Sequence, residues 1–228
     1  DNGYALYVPR LFKHVHTSVC ADQRRALEVS DIGNLLCETE KAATCGSLPI
    51  ELQTTKNIFA LMFLLRGIPF VDLAYLRKAD IQGNTLRYRR RKTGRLLTVM
   101  LTPDAMKLIR IVAKTKPESP YLFPFLSSPE GTEAAYHEYQ SSLRVFNYRL
   151  SRLKKYIKTA AHLSSYTIRH TWATMAYYCE IHPGIISEAM GHSSIKVTET
   201  YLKPFQNEKI DNANSQVISY VKEYASIV

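Results

Sequence analysis

The sequence predicts a mainly α-helical fold with one small antiparallel β-sheet. Three observations lead there. Apolar residues recur at helical spacing along most of the chain, as in Ile58, Leu61, Met62 and Leu65. One stretch breaks that period: Leu86-Arg87-Tyr88-Arg89-Arg90-Arg91-Lys92 partly alternates, and Leu96-Leu97-Thr98-Val99-Met100-Leu101 is rich in β-formers. Helix start and stop signals punctuate the remainder.

Taken in order, residues 1–20 read as the tail of a preceding domain and a linker, and residues 21–228 as the main domain. A helix opens near Ser30 and Asp31 and carries Ile32, Leu35 and Leu36. After Gly46 and Pro49 a second runs from about Glu51 to Leu65. Gly67 and Pro69 end it, and a short helix follows through Val71, Leu73 and Leu76. Thr93-Gly94 separates the two β-like runs, so a hairpin is expected with Lys92 at its tip. Thr102-Pro103-Asp104 supplies an N-cap and a proline at the first helical position. A loop at 116–131 precedes a long helix from Thr132 to about Ala160, roughly 40 Å if unbroken. Another begins near Thr167 and stops before Pro183. Two short helices follow, around Ile185 to Met190 and Ser194 to Tyr201, and Pro204 ends the second. The tail, Asn207 to Ile227, is amphipathic through Ile210, Val217, Ile218 and Val221.

Composition narrows the function classes. At 46% hydrophobic and 22% charged, with 9 Gly and 10 Pro, the chain suits a packed domain and not a disordered or collagen-like one. Its longest apolar run, Ile58 to Leu65, is too short to span a bilayer. Lys and Arg number 30 against 20 Asp and Glu, a formal +10, which favours a polyanionic partner. Cys20, Cys37, Cys45 and Cys179 form no CxxC pair, which argues against zinc and a disulfide framework and for a reducing cytoplasm. His14 and His16 have no second ligand pair, and the carboxylates are dispersed, so neither a metal nor another cofactor is expected. GxGxxG, P-loop, HExxH and GxSxG motifs are missing.

The C-terminal third holds a distinctive series. Tyr166-Thr167-Ile168-Arg169-His170-Thr171-Trp172-Ala173-Thr174 is followed by Gly191-His192-Ser193-Ser194, with Thr198 and Tyr201 seven and ten positions after Gly191. In this order the residues resemble the tyrosine recombinase, or phage integrase, family. The likeness runs from about residue 22 to the end and includes Arg66 to Arg77 and Arg91-Lys92-Thr93-Gly94. The phrases around Arg66 and Tyr166 resemble recombinases of conjugative elements and DNA invertases.

The resemblance implies the catalytic-domain fold of a DNA breaking-rejoining enzyme. It implies a bacterial site-specific recombinase that needs neither metal nor ATP. Tyr201 would attack phosphorus and form a 3′-phosphotyrosine link. Arg169 and a second arginine would fork onto the phosphate oxygens. Lys92 would protonate the leaving 5′ oxygen, and His192 would assist at the phosphate. Arg87, Arg89, Arg90, Arg91 and Arg95 are expected on the DNA backbone. The partner would be double-stranded DNA, bound by a homotetramer joined through the C-terminal tail; packing of that tail on its own domain is the other reading.

Two departures stand out. The family's first arginine lies three residues before the acidic position, and here that slot before Asp72 is Pro69. Arg66 is the favoured replacement, with a different arginine as the alternative. Tyr166 stands where the family has histidine; it can donate one hydrogen bond to a phosphate but carries no positive charge near neutral pH. A catalytically impaired DNA-binding relative and a type IB topoisomerase remain the alternatives.

Overall fold

The computed structural model describes residues 26–36, 48–115, 117–157, 159, 161–202, 205 and 207–225. The expected domain remnant at 1–20, and Cys20, Cys37 and Cys45, lie outside these residues. Nine helices surround one sheet among the described residues: α1 (Val29–Leu36), α2 (Ile50–Leu64), α3 (Phe70–Tyr75), β1 (Ile81–Gln82), β2 (Thr85–Arg89), β3 (Leu96–Met100), α4 (Pro103–Val112), α5 (Glu133–Ile157), α6 (Thr167–Tyr178), α7 (Pro183–Met190), α8 (Ile195–Glu199) and α9 (Asn207–Ala225).

Helix α2 is the central element. Leu52, Phe59, Leu61 and Met62 are completely enclosed, and α1, α4, α5 and α6 pack around it. Helix α4 begins as its sequence dictates: the Thr102 side chain accepts from the Ala105 amide, and Pro103 occupies the first turn. Along α5, Phe146, Leu150 and Leu153 face the core, where Phe146 stacks on Phe70 of α3.

The sheet is antiparallel in the order β1-β2-β3, with Leu86 opposite Val99 and Tyr88 opposite Leu97. Those four side chains join the core formed by α2. The expected hairpin is therefore a three-stranded sheet, because the two-residue β1 pairs with the start of β2. A further difference is that Ser30 and Asp31 lie inside α1 and not at its cap. Asp31 instead accepts a hydrogen bond from Thr159.

Helix α9 corrects the self-packing reading of the tail. Ile210, Val217, Ile218 and Val221 are all exposed, and Lys209 ties the helix to Glu180 and the Tyr178 carbonyl. No helix among the described residues is long and apolar enough to cross a membrane.

Candidate active site

Arg169 is the largest fully buried side chain, 2% exposed, and two helix ends hold it. The first is the end of α2. Arg66 and Gly67 both adopt left-handed backbone, φ 60° and 67°, and the amides of Gly67 and Ile68 bond back to the Met62 carbonyl. A Cβ on Gly67 would lie 3.0 Å from the Arg169 Cα, so only glycine lets α2 approach α6 this closely. The Gly67 carbonyl then accepts from Arg169 Nη1 at 2.8 Å. The second is the end of α7, where the Met190 carbonyl accepts from Arg169 Nη2 at 2.7 Å. Terminal carbonyls carry the negative end of the helix dipole and suit a cation.

Gly191 follows in left-handed conformation and turns the chain toward His192. His192 is 3% exposed; its Nε2 meets Arg169 Nη2 at 2.8 Å, and its Nδ1 meets Thr198 Oγ1 at 2.8 Å. Arginine only donates, so Nε2 accepts and the ring proton sits on Nδ1. Burial, then the charges of Arg169, Arg90 and Lys92, push the His192 pKa down to about 3, so the imidazole is neutral.

Tyr201, two residues beyond α8, is 9% exposed. Its ring lies between His170 and His192, with centroids at 4.4 and 4.9 Å, and its carbonyl accepts from Thr174. The Arg169 guanidinium carbon is 5.7 Å from the ring centre. The Tyr201 hydroxyl makes a short hydrogen bond with that of Tyr166.

Arg90 enters from the sheet. Sequence reasoning grouped it with solvent-facing, DNA-contacting arginines, but it is 5% exposed. The alternation of β2 continues one residue past the strand, so Leu86, Tyr88 and Arg90 point inward while Arg87 and Arg89 point out. Its Nη1 donates to Asp72 Oδ2 at 2.5 Å, and Asp72, fully enclosed, also accepts from the Arg91 amide. A Cβ on Gly191 would meet the Arg90 Cγ at 2.8 Å, so this side chain packs directly on the turn before His192. The Arg90 charge is felt at Arg169, His192 and Tyr166. The Nε–H groups of Arg90 and Arg169 are buried without a protein acceptor. Each such donor costs about 1–3 kcal/mol until an acceptor arrives.

Arg169, His192, Tyr201, Tyr166 and Arg90 thus come together. Arg66 does not join them directly: its Nη1 donates to the Thr98 carbonyl at 3.3 Å. Lys92 is exposed on the hairpin turn, which docks on the α7 end through Thr93 to the Gly191 carbonyl and Arg95 to the His192 carbonyl. Arg91 is engaged with Glu130 and lies 3.7 Å over the Tyr75 ring, while Arg89 bonds the Gly94 carbonyl. Sequence reasoning did not single out Asp72 as the holder of Arg90. The inward register of Leu86, Tyr88 and Arg90 was the available signal. Among the described residues no group of three or more His, Cys, Asp or Glu could hold a metal ion.

The model of the phage integrase family matches residues 34–208. The chain is similar in fold to the XerA recombinase, with a TM-score of 0.57 at 16% identity, covering 84% of this chain and 64% of XerA. It is similar to the Tn1549 transposon integrase in complex with circular intermediate DNA, with a TM-score of 0.55 at 15% identity, covering 84% and 66%. It is also similar to the XerH site-specific recombinase bound to a palindromic difH substrate after cleavage, at 0.57 and 16%, covering 84% and 52%. The chain therefore spans about half to two thirds of these proteins. A search of curated protein sequences gave no match.

Proposed function

This chain belongs to the phage integrase family, and from that premise we propose that it is the catalytic domain of a tyrosine-type site-specific DNA recombinase. The observation that carries the reading is an enclosed tyrosine beside the buried Arg169 guanidinium, with a second buried guanidinium, Arg90, whose charge acts on Arg169 and His192; each arginine has an Nε–H without a protein acceptor. A phosphodiester is anionic and resists attack, so its cleavage calls for fixed positive charge and a nucleophile. Arg169 supplies one fork. The second belongs to Arg90 in preference to Arg66, since Arg90 is the arginine whose charge reaches Arg169 and His192.

In this reading the Tyr201 hydroxyl gives up its proton to water and its oxygen bonds to phosphorus, the P–O5′ bond breaks as the 5′ oxygen takes a proton from Lys92, and the DNA 3′ end stays esterified to Tyr201. A second 5′-hydroxyl reverses the step and joins a new strand. His192 is neutral and holds Arg169 in place for the phosphate. Exposed Arg87, Arg89 and Arg95 contact the DNA backbone near the pocket, and Lys92 rides on a hairpin tied to the His192 turn. Structures of the Tn1549 and XerH proteins with DNA support a DNA partner. A second copy engaged through α9 accounts for that helix's exposed apolar face.

The test uses the full-length protein and a suicide duplex carrying the inverted repeats that flank its own locus, with a nick that releases the cleaved end. A denaturant-resistant protein–DNA adduct is expected from wild type and none from Tyr201→Phe. An adduct from both moves the nucleophile elsewhere. DNA binding without any adduct, on these and other candidate sites, favours a binding-only relative.

A further inference from the structure

Resting on the recombinase reading, we infer that Tyr166 is the residue that positions the nucleophile, its hydroxyl holding the Tyr201 oxygen for attack. The bond joins residues 35 positions apart: Tyr166 at the N-terminal boundary of α6 and Tyr201 just beyond α8. Arg169 also reaches the Tyr201 hydroxyl, but its guanidinium is tied to the Gly67 and Met190 carbonyls. The imidazoles around Tyr201 do not hold that oxygen. His170 and His192 lie against its ring with interplanar angles of 31° and 25°, presenting faces and not ring-plane nitrogens. His192 Nε2 is already occupied by Arg169, and Nδ1 by Thr198. Tyr166 is oriented in turn by an edge-on contact with His170 at 5.3 Å.

Either hydroxyl can donate in the resting pair, but once Tyr201 gives up its proton the bond has one direction. Burial, then the contact with Tyr201, raises the Tyr166 pKa to about 12, so Tyr166 keeps its proton and donates. As donor, it leaves lone pairs of the Tyr201 oxygen open toward phosphorus and stabilises the negative charge that appears there as the Tyr201 proton departs to water. Tyr166 then touches the nucleophile, a different role from the phosphate hydrogen bond that the sequence suggests for it. At 41% exposure it borders the pocket mouth, where DNA would arrive.

The experiment compares single-turnover cleavage by full-length wild type, Tyr166→Phe, Tyr166→His and Lys92→Ala on two suicide duplexes. One carries the natural phosphate and the other a 5′-bridging phosphorothiolate, whose sulfur leaves without a proton. Tyr166→Phe should cleave about 10- to 100-fold more slowly on both substrates, as loss of a hydrogen bond to a charge-developing group implies. Its DNA affinity should stay within about 3-fold of wild type and its melting temperature unchanged. Tyr166→His, which restores a donor, should recover at least part of the rate, while Lys92→Ala should recover on the phosphorothiolate only. Wild-type cleavage rates in Tyr166→Phe overturn the inference. So does a Tyr166→Phe defect that the phosphorothiolate repairs, or one matched by an equal loss of DNA affinity. Absence of an adduct in wild type itself overturns the recombinase reading instead.

Discussion

The part of the molecule from α1 to α5 and the part from α6 to α8 are held together differently. The first closes over one large apolar core that buries one side of α2 and one face of the sheet. The second has a small cluster of Ala173, Ala176, Ile186, Met190 and Tyr201, and relies on polar bonds for the rest: Arg169 to two carbonyls, His192 to Thr198, and Tyr201 to Thr174 and Tyr166. The nucleophile itself is a core residue of the smaller unit. The difference separates a scaffold, stabilised by non-directional burial, from a site whose geometry is set by directional bonds and can be altered without unfolding the whole.

Arg90 crosses that division, and changing it is the sharpest way to break the comparison. Arg90→Lys keeps a charge beside Asp72 but loses the planar fork. Cleavage of the suicide duplex should fall by about 10²- to 10³-fold, as for loss of a single donor to a charge-bearing transition state, with the melting temperature nearly unchanged. A large drop in stability with intact specific activity would make Arg90 part of the scaffold only.

Leu61→Ala tests the other side. Leu61 is fully enclosed in the large core, so denaturant unfolding should show a loss of about 2–5 kcal/mol. Cleavage by the fraction that remains folded should be close to wild type.

A smaller effect concerns pH. The folded His192 pKa is about 3 against about 6.5 for an unperturbed histidine. Between those values the unfolded chain binds the extra proton, so its contribution to stability is complete above about pH 6.5 and falls as pH drops toward 3. The loss between about pH 6.5 and 5 should reach at most about 2 kcal/mol. Amide exchange, corrected for intrinsic rates, should show residues 167–201 loosening before α2, and His192→Asn should flatten the difference. Glu138 behaves separately: burial raises its pKa, but bonds from Ser127 and Ser128 outweigh that and bring it to about 2, so its share fades only below about pH 4.5.

Much of the scaffold is legible from local rules. Thr102-Pro103 starts α4, and Ile58, Leu61 and Met62 mark the buried side of α2. The two-residue β1 is too short to leave a periodic signal. A shared pocket for Arg169, His192 and Tyr201 is legible through the family resemblance that their order carries. Arg90 was hidden because LRYRRRK reads as one charged run, although period-two alternation places its fifth residue, Arg90, inward with Leu86 and Tyr88. The Tyr166–Tyr201 bond has no local signature, since it depends on how α6 and α8 pack.

The charge of Arg90 acting on Arg169 has a consequence for the molecule at rest. Burial and the neighbouring charge both weaken the hold of Arg169 on its proton, so the empty pocket keeps two like charges in each other's field. Asp72 and the two helix-end carbonyls offset that repulsion while the chain folds, long before any substrate is met. Any anion that reaches both guanidiniums therefore acts as a folding ligand, and by mass action the occupied protein outlasts the vacant one under heat or denaturant.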